Sequence, residues 1–155
     1  MITSKIAIGS DHAGFELKEH IIGFLKELGI EVIDKGTYSP SESVDYPDYA
    51  KYTGEEVFKG DCLGILVCGS GIGISIAANK MRGIRAALCH DIQSATMSRR
   101  HNDANILVLA GRPFDKERAQ CADEMIKTWL NTEFEGGRHQ NRIDKITEIE
   151  MMMSC

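Results

Sequence analysis

Residues 62–79 read CLGILVCGSGIGISIAAN. The apolar run Leu63 to Val67 has the length and composition of one buried strand, Cys68 closes it, glycines at 69, 71 and 73 make a loop, and Ile74 to Lys80 continues as a helix. Strand, glycine loop and helix in that order are the first part of a β-α-β unit, in which the next strand runs parallel to the first. The stretch raises two questions: whether its neighbours repeat the unit, and what needs a thiol at the mouth of a glycine loop.

The unit repeats in both directions. Toward the N-terminus, Ile6-Ala7-Ile8 predicts a strand and Gly9 to His12 a loop, after which Leu17, Ile21, Phe24, Leu25 and Leu28 recur at helical spacing up to Gly29. Ile30 to Ile33 predicts a second strand, Lys35 to Pro47 a polar loop, and Asp48 to Lys59 a helix. Toward the C-terminus come a strand at Ile84 to Leu88, a loop at His90-Asp91, a helix at Gln93 to Arg100 and a fifth strand at Asn105 to Leu109. Ala122, Met125, Ile126, Trp129 and Leu130 mark another helix, Gly136-Gly137 breaks the chain, and Arg138 to Met153 predicts a terminal helix, the one part placed to leave the body. Strands alternating with helices predict an α/β fold with a parallel sheet covered on both faces and crossovers of one hand. No linker, repeat or low-complexity segment divides the 155 residues, which suit a single domain over 1–155.

Hydrophobic residues at 43% and charged residues at 26% are ordinary for a folding globular chain. A formal net charge of -5 argues against nucleic acid or an anionic membrane as a general partner, since both favour clustered basic surface. The first residues are too polar for a secretory signal, and no apolar stretch approaches the roughly 20 residues that span a bilayer, so a cytoplasmic location is expected. Cysteines at 62, 68, 89, 121 and 155 are odd in number and lack a Cys-x-x-Cys pair, which suggests neither a disulfide framework nor a zinc knuckle. Most are expected to be small core residues.

In open parallel sheets, ligands bind beyond the carboxyl ends of the strands. Those loops hold Asp11 and His12, Cys68 to Gly73, His90 and Asp91, and Gly111-Arg112. The glycine loop enters a helix, so its N–H groups suit an anion or a developing oxyanion. Its spacing, Gly69-x-Gly71-x-Gly73, is not the dinucleotide fingerprint, and no Gly-Lys-Ser/Thr follows to make a nucleotide-binding loop. Ile74 stands where a thiol phosphatase would need arginine. His101 and Asn102 end a charged helix, and Arg138 and Arg142 share a helix face with His139 beside them. Each feature has a plainer alternative: a tight turn, a charged helix terminus, a solvated helix. His20 reads as a surface residue.

Together the stretches GSDHAGFELK, EVIDKGT, VDYPDYA, CGSGIGISIAANK, GIRAALC, SRRHNDANILVLAGR and FEGGRHQNRIDKI closely resemble the type B ribose-5-phosphate isomerases, which share a family with the galactose-6-phosphate isomerase subunits. The resemblance implies a Rossmann-like three-layer sandwich with a five-stranded parallel sheet flanked by helices, the C-terminal helix packing on a partner subunit. It implies a homodimer with active sites drawing on both chains, in some members paired into a tetramer, and no metal or organic cofactor. The implied substrate is a sugar phosphate, with ribose 5-phosphate and ribulose 5-phosphate interconverted in pentose phosphate metabolism. Cys68 matches the general base that moves a proton between C1 and C2, and His101 the group that opens the furanose ring. Asn102 matches a substrate contact, Asp11 and His12 the pair that hold sugar hydroxyls, and Arg112, Arg138 and Arg142 the phosphate grip.

The chemistry suits these residues. Proton removal beside a carbonyl develops charge on an enediolate, which the N–H groups of Gly69, Ser70, Gly71, Ile72 and Gly73 are expected to face. A helix N-terminus favours a thiolate, imidazole titrates in the range a ring-opening acid needs, and guanidinium binds phosphate bidentately. Ser70 stands where many members have threonine and keeps the catalytic-loop hydroxyl. Ile74 stands where a cysteine-less subgroup has a glutamate base, which leaves Cys68 as the base of this loop. The same residues would serve a six-carbon substrate such as allose 6-phosphate or galactose 6-phosphate. A sugar-phosphate-binding module without turnover, or a redox-sensing thiol protein, are the readings of another class. The Met151–Cys155 tail has no assigned role.

Overall fold

The apolar runs form five strands, β1 (Lys5–Ser10), β2 (Glu31–Asp34), β3 (Leu63–Cys68), β4 (Ala86–Leu88) and β5 (Ile106–Ala110), in a computed structural model that describes residues 1–153. All pair in parallel, in the order β2-β1-β3-β5-β4. Six helices connect or follow them: α1 (Phe15–Glu27), α2 (Tyr46–Phe58), α3 (Ile72–Ala78), α4 (Ile92–Arg100), α5 (Lys116–Leu130) and α6 (Arg138–Met152). This is the expected Rossmann-like α/β sandwich.

Two apolar layers hold it together. On one face Leu17, Ile21 and Leu25 of α1, Ala95 of α4 and Ile126 and Trp129 of α5 pack on Ile6, Ile8, Ile65 and Leu107. On the other, Ala50 and Val57 of α2 and Ile74 and Ala78 of α3 pack on Ala7, Leu66, Ile106 and Val108. Strands covered on both sides have no polar face to show, which is why they read as continuous apolar runs. Of the cysteines, Cys62, Cys68 and Cys89 are buried and Cys121 is half-buried, as small core residues should be; Cys155 lies outside the described residues. Burial pushes the Cys62 and Cys89 thiols up in pKa.

Several boundaries differ from the sequence reading. α2 begins at Tyr46, two residues early, because Pro47 sits in its first turn, where a missing N–H leaves no bond unmade. α3 begins at Ile72 and β4 at Ala86. Asp91, placed among the ligand-loop residues by sequence, caps α4: its carboxylate accepts the Ser94 N–H at 2.6 Å, and that bond holds its pKa below the usual carboxylate range. His20 is half-buried and ties α1 to α5 through Asp123 at 2.9 Å. Among the described residues, no helix is long and apolar enough to cross a membrane.

Strand order decides where a site can form. The chain moves from β1 outward to β2, then returns to place β3 on the other side of β1, so the β1/β3 boundary is the switch point. β5 slots between β3 and β4, which puts the loop after β5, rather than the loop after β4, beside the end of β3.

Candidate active site

Cys68 ends β3 and is 4% exposed. Its sulfur accepts the Gly71 N–H at 3.2 Å. The chain can turn back this way because Gly71 holds a φ of 76° and a Cβ there would lie 2.5 Å from a methyl of Leu88. The Ile72 N–H goes to the Ser70 hydroxyl at 3.2 Å. Two of the loop's N–H groups are thus held internally, and Gly69, Ser70 and Gly73 are the remaining donors for a ligand, a smaller set than the sequence suggested. Tyr46 packs its ring against Gly73, where a Cβ would come 2.6 Å from the ring. Ile74 is fully buried in the core.

Asp11 and His12 lie across the switch point, at the end of β1. Asp11 is 7% exposed and caps the short 3-10 turn His12–Gly14, its Oδ1 accepting the Gly14 N–H at 3.0 Å. His12 Nδ1 accepts the Val44 N–H at 3.2 Å, which in the neutral ring leaves the proton on Nε2. The loop that supplies Val44 is anchored by Lys18, wholly buried, whose ammonium donates to both oxygens of Asp34 at 2.8 and 2.9 Å. Asp34 also accepts the Gly36 N–H at 2.9 Å, and Thr37 N–H donates to the Ser10 carbonyl at 2.8 Å, so the loop is fastened next to Asp11. Sequence reasoning missed Lys18, although it shares the stripe of Ile22 and Leu25 on α1.

Arg112 joins the same cluster from β5. The Gly111 N–H donates to the Cys68 carbonyl at 2.8 Å and the Arg112 N–H to that of Gly69 at 3.1 Å, leaving the guanidinium exposed beside the loop.

The other named residues form a second cluster. His101 caps the C-terminus of α4. The turn after it is fixed by Arg99, whose buried guanidinium binds Asp103 at 2.9 Å and the Ala104 carbonyl, and by Arg85, which binds Asp103 at 3.1 Å. The imidazole of His101 stacks on that of His139, with ring centroids 4.1 Å apart and planes 13° from parallel. Glu135, just before α6, pairs with Arg100 at 3.1 Å and lies 3.9 Å from His101 Nε2, while its N–H donates to the Arg100 carbonyl at 3.0 Å. Arg142 donates to His139 Nδ1 at 3.3 Å; Arg138, Arg142 and Asn102 are exposed. Burial, together with the nearby His101 and Arg138, holds His139 below the usual imidazole range. A neutral His139 accepting at Nδ1 carries its proton on Nε2, and that nitrogen is buried without a partner among the described residues.

His101, Glu135 and His139 place ligand atoms within 4.8 Å of one another, which is close enough to consider a metal ion. Near-parallel stacked rings cannot both point a lone pair at one ion, and Arg100 pairs with Glu135 while the positive charges of Arg138 and Arg142 act on His139. That field suits an anion.

The two clusters are at opposite ends of the sheet. Cys68 is in register with Ala110 and Gly64 with Ile106, four residues earlier, so the strands put roughly 13 Å between the carboxyl end and the end where β5 begins. α4 runs back along that length, which leaves His101, Asn102 and the start of α6 at the far end from Cys68, Asp11, His12 and Arg112. One chain therefore separates the residues that the sequence reading assigned to one site.

A profile of the family described as Ribose/Galactose Isomerase matches residues 6–146. The ribose-5-phosphate isomerase B of Escherichia coli (strain K12) is 51% identical over 147 residues, 94% of this chain and 96% of that protein. A putative sugar phosphate isomerase of Bacillus subtilis (strain 168) is also 51% identical, over 94% of this chain and 97% of its own. Among solved structures, ribose-5-phosphate isomerase B of Clostridium thermocellum superposes with a TM-score of 0.92 at 54% identity, covering 97% of this chain and 99% of that one. The sheet order, the thiol loop and these likenesses together establish that the chain belongs to the ribose/galactose isomerase family.

Proposed function

We propose that the protein is an aldose–ketose isomerase interconverting ribose 5-phosphate and ribulose 5-phosphate, at sites each assembled from two copies of the chain. The observation that carries the reading is the buried Cys68 sulfur, held by the Gly71 N–H at the switch point of the sheet with Asp11, His12 and Arg112 around it. The separation of His101, Arg138 and Arg142 from that cluster supports a second copy bringing its own set to it. So does α6, a 15-residue helix in which only His139 and Ile143 are buried, while Ile146, Ile149 and Met152 stand exposed.

In this reading His101 hands a proton to the ring oxygen and opens the furanose as the anomeric hydroxyl releases its own to water. Cys68 then removes the C2 proton of the open aldehyde; electrons move onto O1, where the Gly69, Ser70 and Gly73 N–H groups meet the charge. The proton held by Cys68 returns at C1 while the O2 proton passes to O1, which gives the ketose. Arg112, with Arg138 and Arg142 of the second copy, holds the phosphate; Asp11, His12 and Asn102 hold hydroxyls.

Two measurements test this. Purified protein offered five- and six-carbon aldose phosphates is expected to turn over ribose 5-phosphate fastest; preference for allose 6-phosphate or galactose 6-phosphate would change the substrate, and binding of all without turnover of any would make the chain a sugar-phosphate-binding module. His101→Ala separates the steps. Ribulose 5-phosphate, with O5 esterified, cannot close to a furanose, so exchange of its C1 proton with deuterated water bypasses ring opening. The variant is expected to lose about 10²-fold or more in turnover of ribose 5-phosphate while keeping most of that exchange; equal losses would remove His101 from ring opening.

A further inference from the structure

His139 lies between two residues of the proposed site and touches both. Its ring face covers His101 at 4.1 Å, and its Nδ1 accepts from Arg142 at 3.3 Å. It is 3% exposed, in the first turn of α6, so it has little room to move. By contrast His101 is more than a third exposed, at the end of a helix, and Arg142 is an exposed long side chain. Among the described residues each has few polar contacts to fix it. Glu135 lies 3.9 Å from His101, beyond hydrogen-bond length, and is already engaged by Arg100. If ring stacking were the only requirement, phenylalanine would meet it without a buried Nε2 that finds no partner among the described residues.

We propose that His139 is a positioning residue with two separable tasks: its ring plane orients the His101 imidazole for proton transfer to the sugar ring, and its Nδ1 orients the Arg142 guanidinium for phosphate. The proposal rests on the isomerase reading above. It links ring opening to phosphate binding through one buried side chain, so a phosphate seated on Arg142 finds the acid already aligned.

The two tasks come apart in two substitutions. His139→Phe keeps a flat ring over His101 and removes the acceptor for Arg142; His139→Asn keeps an oxygen near the place of Nδ1 and removes the ring. For His139→Phe, loss of one charge-assisted hydrogen bond to Arg142 is expected to raise KM for ribose 5-phosphate about tenfold, with the ratio of ribose turnover to ribulose C1 exchange unchanged. For His139→Asn, KM is expected to stay within about twofold while that ratio falls roughly 10- to 100-fold, the size of loss that misplacing a reacting group produces. Parallel loss of both quantities in both variants, or an unchanged ratio in His139→Asn, would overturn the proposal.

Two readouts do not need turnover. The His101 Cε1 proton should show a ring-current shift in the wild type and in His139→Phe that disappears in His139→Asn, and calorimetry with inorganic phosphate should show weakened binding in His139→Phe alone. Absent turnover in the wild type with both readouts as expected would refute the isomerase reading and leave the two contacts of His139 standing. Unchanged shift and phosphate affinity across the three proteins would refute the role of His139 whatever the wild type catalyses.

Discussion

Cys68→Ala is expected to fold, to bind ribose 5-phosphate with near-normal affinity, and to lose isomerisation by about 10²–10⁴, the range assigned to a positioned general base. The sulfur is the only titrating side-chain atom of the loop from Cys68 to Gly73, and Ile74 after it is sealed in the core. Alanine fits the same space beneath the loop, so the Gly71 turn, enforced by its φ of 76° and the contact with Leu88, should persist. Cys68→Ser is the stricter comparison. It restores an acceptor for the Gly71 N–H, yet a hydroxyl ionises far less readily than a thiol, so it should remain as inactive as alanine. Both proton exchange into ribulose 5-phosphate and net isomerisation should fall together in these variants, in contrast to His101→Ala. Turnover within tenfold of the wild type in Cys68→Ala would contradict the assignment of the base.

The fold was legible because each element carries its own signal. Five apolar runs, each ended by a glycine or polar loop, mark strands buried on both faces, and the stripe Leu17, Ile21, Leu25 marks the helix that covers them. Strand order was not legible. Runs such as Leu63 to Val67 and Ile106 to Leu109 are chemically alike, and nothing in them says that β5 inserts between β3 and β4. That insertion gives Arg112 its place beside Cys68 and leaves Asp91 as a helix cap.

The site was legible as residue types and motifs, and the resemblance assigned their roles. That the site draws on two chains came only from the resemblance; the residues themselves do not say that His101 groups with the start of α6, because that depends on which end of the sheet each loop occupies. His101 and Cys68 are neighbours in the resemblance and lie a strand length apart in one chain. The supporting contacts were hidden too. Lys18 is an ordinary lysine in sequence, and only the folded chain brings Asp34 to its ammonium and Val44 to His12. His139 read as a companion of two arginines on a solvated helix; its burial against His101 accompanies the pairing of Glu135 with Arg100 at the end of α4, 35 residues away in sequence. Pro47 did carry a readable signal, since proline suits the first turn of a helix as well as a loop.

In the proposed reading, a site works only if the carboxyl end of the sheet in one copy meets the far end of the sheet in another. The most direct measurement mixes two inactive proteins. Cys68→Ala chains retain Arg138 and Arg142; Arg138→Ala/Arg142→Ala chains retain Cys68. After subunit exchange, confirmed by native mass spectrometry, a mixed dimer holds one site with all of these groups intact and one with none. An equal mixture at full exchange is expected to recover about a quarter of wild-type activity per chain, since half the dimers are mixed and each carries one complete site. Confirmed mixed dimers with no recovered activity would place the base and the phosphate grip on the same chain and contradict the shared site.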